Sequence, residues 1–132
     1  MGQAKRILVI DDETALCDVL KARLESYGYS VTTANDGQKG WQEITTQAPD
    51  LVFLDIRMPN EDGYTFLKKL RAYRDPEDAA HEKAIRKLPV IVVTGTGDGM
   101  KPLFEQEQIS AFITKPIDST LMKKLVEDTL GR

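Results

Sequence analysis

The run ILVIDDE, residues 7–13, carries four aliphatic residues straight into three acids, Asp11, Asp12 and Glu13. Packed carboxylates repel one another and lose hydration, so such a cluster at the end of a buried run implies a positive partner. LVFLD ends in a further acid, Asp55. PVIVVT ends in the hydroxyl of Thr94, and AFIT runs into Lys115. Asp11, Asp12 and Asp55 offer only oxygen donors, which suits a hard cation. Mg²⁺ is held by a few carboxylates and waters and keeps positions open for phosphate oxygens. A hydroxyl and a lysine beside it are the groups that a transferred phosphoryl group needs. This chemistry requires four separate stretches of chain to meet in one place.

The elements that would bring them together alternate along the chain. RILVI (6–10), SVTTA (30–34), LVFLD (51–55), PVIVVT (89–94) and AFIT (111–114) read as short strands. Between them lie helical patterns. Leu16, Val19, Leu20, Leu24 and Tyr27 are expected to share one face, with Gly28 as a stop. Trp41 and Ile44 mark a weaker helix after Asp36-Gly37, and Tyr64, Leu67, Leu70 and Tyr73 a third. Leu121, Leu125 and Val126 line the last, capped by Asp118 or Ser119. Repeated βα units imply an α/β fold, a parallel sheet with helices on both faces. SVTTA is the most polar strand and belongs at an edge, which fits a flavodoxin-like, doubly wound five-stranded sheet of order 2-1-3-4-5. In that order all the strand-end residues above gather at one mouth, beyond the carboxyl ends of the strands.

Composition narrows the function classes. A chain of 132 residues suits one domain. The net charge of −3 gives no basic footprint for direct nucleic-acid binding. The single cysteine, Cys17, rules out an internal disulfide and is expected to be inert. The apolar run after MGQAKR is too short for a signal peptide, Arg6 stands where a myristoylation motif wants Ser or Thr, and nothing approaches a membrane span. The expected location is the cytoplasm, away from membranes.

Four motifs in this order, IDDE, DIRMPNEDGYTFL, VVTG and ITKP, resemble those of the response-regulator receiver domains of two-component signalling, the CheY-like family, along essentially the whole chain. The resemblance implies a phosphoacceptor. Asp55 would take a phosphoryl group from a sensor histidine kinase or a histidine phosphotransfer protein and become an aspartyl phosphate. Asp12, Asp55 and the main-chain carbonyl of Arg57 would bind Mg²⁺ directly, with Asp11 acting mainly through a coordinated water. Thr94 and Lys115 would each hold a phosphoryl oxygen, and Phe112 would sit at the aromatic switch position. The Lys115–Pro116 bond would be cis. Such a module is a stoichiometric switch rather than a turnover enzyme, although it catalyses its own phosphorylation and dephosphorylation. Its downstream protein target is left open by the sequence.

Other readings are weaker. A haloacid-dehalogenase phosphatase needs a second Asp two residues after its nucleophile, where this chain has Arg57. A flavodoxin-like cofactor binder needs a Ser/Thr/Gly-rich phosphate loop after the first strand, where DDET would repel phosphate. A phosphorylation-independent interaction module of receiver fold is the main rival, but it would usually lack one of the acids, the Thr or the Lys. Arg57 and Thr96 flank the approach of water to an acyl phosphate, while Gly95 leaves it room. The fourth helix looks short, about two turns after Pro102, and Ser110-Ala111 stands where relatives often carry Gly-Ala. The third helix and its connection need about 17–20 residues, yet the chain takes 26 from Gly63 to Pro89. The excess, residues 75–88 within a single receiver domain of residues 1–132, has its own helix-start signal with Asp75 as cap and Pro76 in the first turn. It is expected to protrude from the amino end of the sheet, either as a solvated insertion or as a docking element for a specific partner, with His81 in solvent.

Overall fold

The computed structural model describes residues 3–58, 61–95 and 101–131. Five parallel strands, β1 (Arg6–Ile10), β2 (Ser30–Ala34), β3 (Leu51–Asp55), β4 (Val90–Thr94) and β5 (Ala111–Thr114), form one sheet of order β2-β1-β3-β4-β5. This is the α/β, flavodoxin-like arrangement expected from the sequence, with β2 at an edge. The helices are α1 (Thr14–Ser26), α2 (Gly37–Thr46), α3 (Gly63–Arg71), α4 (Ala79–Arg86), α5 (Lys101–Glu105) and α6 (Ser119–Leu130).

Alternation along the strands divides the core into two layers. Leu8, Ile10, Val52, Leu54, Val90 and Val92 face Ile44 of α2, Phe66, Leu67 and Leu70 of α3, Ile85 of α4 and Phe104 of α5. Ile7, Val9, Leu51, Phe53, Ile91, Val93 and Ile113 face Cys17, Leu20 and Leu24 of α1 and Met122 and Val126 of α6. Side-chain caps set the helix starts. Asp36, Asp62, Asp78 and Asp118 each accept a backbone N–H from the first turn of the helix that follows. Gly28 takes φ +99° just after α1, the left-handed conformation that stops a helix cheaply only in glycine.

The buried stripes differ from the sequence reading on two helices. On α1 the inward residues are Cys17, Leu20 and Leu24, while Val19 is 48% exposed. A thiol packs as a small hydrophobe, so counting Cys17 as apolar shifts the stripe away from Val19, while Leu16 packs at its margin. On α6 Met122 and Val126 are buried and Leu121 is 45% exposed.

The insertion also departs from expectation. Its helix starts at Ala79 on the cap Asp78, not on Asp75. Asp78 N–H donates to the Asp75 carbonyl, making Asp75–Asp78 a turn, with Pro76 at its second position where a fixed φ is favoured. Nor is α4 a solvated protrusion. Ile85 is fully buried, and Arg71 of α3 donates to the carbonyls of Arg86 and Leu88. His81 is partly buried rather than solvated. Its Nε2 donates to the Thr45 carbonyl at 2.9 Å, and its ring stands edge-on to Tyr73.

Candidate functional site

The carboxyl ends of β1, β3, β4 and β5 place Asp11, Asp55, Thr94 and Lys115 at one mouth, as the strand order requires. Asp11 and Asp55 are 3% and 4% exposed and Thr94 1%, so these polar groups are as deep as the core. Asp12 is exposed. One carboxylate oxygen from each of Asp11, Asp12 and Asp55 lies within 4.8 Å of the others, the spacing of a cation cradle.

Local bonds hold this geometry. Asp11 N–H donates to the Ala34 carbonyl, and Asp11 Oδ1 accepts the Glu13 N–H at 2.9 Å. Beneath it the Cys17 thiol donates to the Asp11 carbonyl at 3.2 Å. Burial first, and the charge of Asp11 second, raise the Cys17 pKa to about 11, so the thiol is inert, as expected. Asp55 is fixed from behind. Gly63 N–H donates to the Ile56 carbonyl at 2.7 Å, and a Cβ at Gly63 would lie 2.5 Å from the Asp55 carbonyl oxygen. The glycine of the DG pair is therefore required by the close approach of the α3 start to the strand carrying Asp55. The Arg57 side chain is exposed, and its N–H makes a long 3.4 Å bond to Asp55 Oδ1.

Lys115 supplies the positive partner that the acids demand. Its Nζ lies 3.1 Å from Asp11 Oδ2 and 3.9 Å from Asp55 Oδ2, and closest, at 2.6 Å, to Glu13 Oε1. Burial alone would lower the Lys115 pKa, but bonds to Glu13 and Asp11 and the charges of Asp11 and Asp55 outweigh it and hold the ammonium above its ordinary value. Asp55 is shifted too. Burial first, then the charge of Asp11, raise its pKa to about 7 against the pull of Lys115 and the Arg57 N–H, with Asp12 adding to the rise. The site thus holds more negative charge than one lysine can balance.

The remaining expected residues fall as follows. The Lys115–Pro116 bond is cis. Thr94 is in register with Thr114, and Phe112 pairs with Val92, two residues before Thr94 on the same face of β4. Phe112 is partly buried, its ring 6.0 Å from that of Phe104 of α5. Gly95 is exposed, and none of the described residues lies within 4 Å of where its Cβ would stand. Pro59, Thr96 and the glycines before α5 lie outside the described residues. In the sequence Glu13 stands out only as part of an acid cluster. Its pairing with Lys115 joins positions 102 residues apart, and nothing local announces it.

The response regulator receiver domain family matches residues 7–127. The response regulator PleD of Caulobacter vibrioides is 37% identical over 89% of this chain and 24% of its own length. The DNA-binding dual master transcriptional regulator RpaA of Synechocystis sp. is 35% identical over 96% of this chain and 49% of its own. The chain therefore spans between about a quarter and about half of these relatives. Among solved structures, a CheY-like response regulator receiver domain protein of Methanospirillum hungatei JF-1 superposes with a TM-score of 0.83 at 28% identity, covering 98% of this chain and 95% of that one.

Proposed function

The chain belongs to the response regulator receiver domain family, and from that premise we propose that it is a phosphoacceptor whose nucleophile is Asp55. The observation that carries this reading is a buried carboxylate at a strand end, its pKa raised to about 7, with two further carboxylates and a lysine converging on it. An Asp55 oxygen attacks the phosphorus of a phosphohistidine, the P–N bond breaks, and the imidazole leaves with the electron pair and takes up a proton. The donor is a sensor histidine kinase or a histidine phosphotransfer protein.

The three aspartates form an oxygen-only donor set that fits Mg²⁺; they would hold it, Asp11 mainly through a coordinated water, together with the Arg57 carbonyl. When bound, the ion supplies the positive charge that lets Asp55 ionise and that offsets charge on the phosphoryl oxygens. Lys115 then pairs with one phosphoryl oxygen and the Thr94 hydroxyl donates to another. Movement of Thr94 frees Phe112 to turn inward, and the surface around β5 and α5 changes its affinity for a downstream protein. The register supports this coupling, since Phe112 of β5 pairs with Val92, two residues before Thr94 on the same face of β4. Residues 1–132 act as one receiver unit in the cytoplasm. A net charge of −3 favours output through protein contact over direct nucleic-acid contact.

The test is covalent. Incubation with Mg²⁺ and a small amidophosphate should add one phosphoryl group that base and hydroxylamine remove, and Asp55→Asn should abolish it. Equal labelling of both proteins would sink the assignment. Failure of the wild type to label would favour a phosphorylation-independent interaction module.

A further inference from the structure

Lys115 is paired most closely with the acid outside the cradle. Glu13 Oε1 lies 2.6 Å from its Nζ, nearer than Asp11 at 3.1 Å or Asp55 at 3.9 Å. Glu13 is also the N-cap residue of α1, yet its side chain makes no capping bond. Capping amides of the first turn would be the ordinary use of an acid there. The backbone is set for the other use. The Glu13 N–H is held by Asp11 Oδ1, so the carboxylate that helps form the cradle also fixes the residue that holds the lysine.

A phosphoryl group on Asp55 needs the same ammonium. Lys115 must then loosen one of its present partners. Asp11 is 4% exposed in its side chain, so water could not replace the lysine there, whereas the Glu13 side chain is 60% exposed and rehydrates at once. Glu13 is therefore the partner that is exchanged. We propose that Glu13 is a positioning residue for the phosphoacceptor reaction, holding Lys115 until a phosphoryl group displaces it. On this view the Glu13 carboxylate sets how readily the phosphorylated geometry is reached. The inference rests on the phosphoacceptor reading of Asp55.

Beryllofluoride with Mg²⁺, a non-covalent stand-in for the phosphoryl group, tests it by calorimetry. Glu13→Gln and Glu13→Ala should bind the probe about twofold to fivefold tighter than wild type at low ionic strength, the range of a half-exposed ion pair. The gain should shrink in high salt. In a Lys115→Ala background the Glu13 substitutions should have no effect, because the competition has lost its object. Equal or weaker binding by both variants overturns the proposal. So does an undiminished gain without Lys115, which would mean simple removal of negative charge. Wild type that neither binds beryllofluoride nor labels at Asp55 brings down the phosphoacceptor reading itself; normal wild-type binding with no Glu13 effect brings down this inference alone.

Discussion

Asp55 carries two opposed demands: the nucleophile proposed for it must be ionised, and its carboxylate stands buried beside Asp11 and Asp12. A folded pKa of about 7 against an ordinary value of 3.8 means that, without metal, the native state binds the proton more tightly than the unfolded chain does. Stability therefore falls as pH rises through the window from about 4 to about 7, and levels off above it. Denaturant titrations of the metal-free protein should show that slope, and Asp55→Asn should flatten it. A wild-type curve as flat as the variant's would contradict the geometry. The acids, Thr94 and Lys115 were legible in the sequence because each ends an apolar strand, where the chain direction fixes which end of the sheet it reaches. What Lys115 bonds was not legible. That choice depends on side-chain reach across the mouth, which leaves no periodic mark.

At the scale of elements, the strands were readable nearly to the residue because parallel, doubly covered strands are continuous apolar runs. The insertion was readable as surplus length but not as structure. Arg71 explains what its charges conceal. Its guanidinium, partly buried and held below the usual arginine value by that burial, donates to the carbonyls of Arg86 at the end of α4, of Leu88 just after it, and of Glu107 and Gln108 after α5. Gln108 sits at φ +60°, a left-handed conformation costly for a residue with a Cβ, and Arg71 bonds its carbonyl at 3.2 Å. One side chain thus ties the inserted helix to the turn that leads into β5. Arg71→Ala should destabilise the protein by about 2–4 kcal/mol, leaving several carbonyls without their charged donor. Ile85→Ala should cost about 2–4 kcal/mol, as for any fully buried large-to-small change. Chemical denaturation measures both. Losses under about 0.5 kcal/mol, the size of an ordinary surface substitution, would restore the view of α4 as a solvated addition.

Taken whole, the molecule separates its crowded charge from its added helix by the length of the sheet. The mouth crowds acids whose repulsion a divalent ion would relieve, while α4 packs at the end where β4 begins. Mg²⁺ at about 100 times its dissociation constant should raise unfolding stability by about 2.7 kcal/mol. Asp12→Ala should lose most of that gain and be more stable than wild type when metal is removed, because it takes one charge out of the cluster. Thermal melts with and without chelator compare the two. An equal Mg²⁺ response in the variant would remove Asp12 from the cradle.

The chain also contains its own optical probe. Trp41 is its single tryptophan. The indole stands edge-on to Phe66 and Tyr73, with the Lys69 ammonium 4.7 Å from its ring centre. Through Tyr73 it touches His81 of α4, and it packs on the same side of the sheet as Phe104 and Phe112. Its ring neighbours come from α3 and the segment just after it, not from the strand ends. Any dimming or colour shift of its emission when metal or phosphoryl reaches Asp55 would therefore register motion relayed through helix packing rather than quenching by a bound ion.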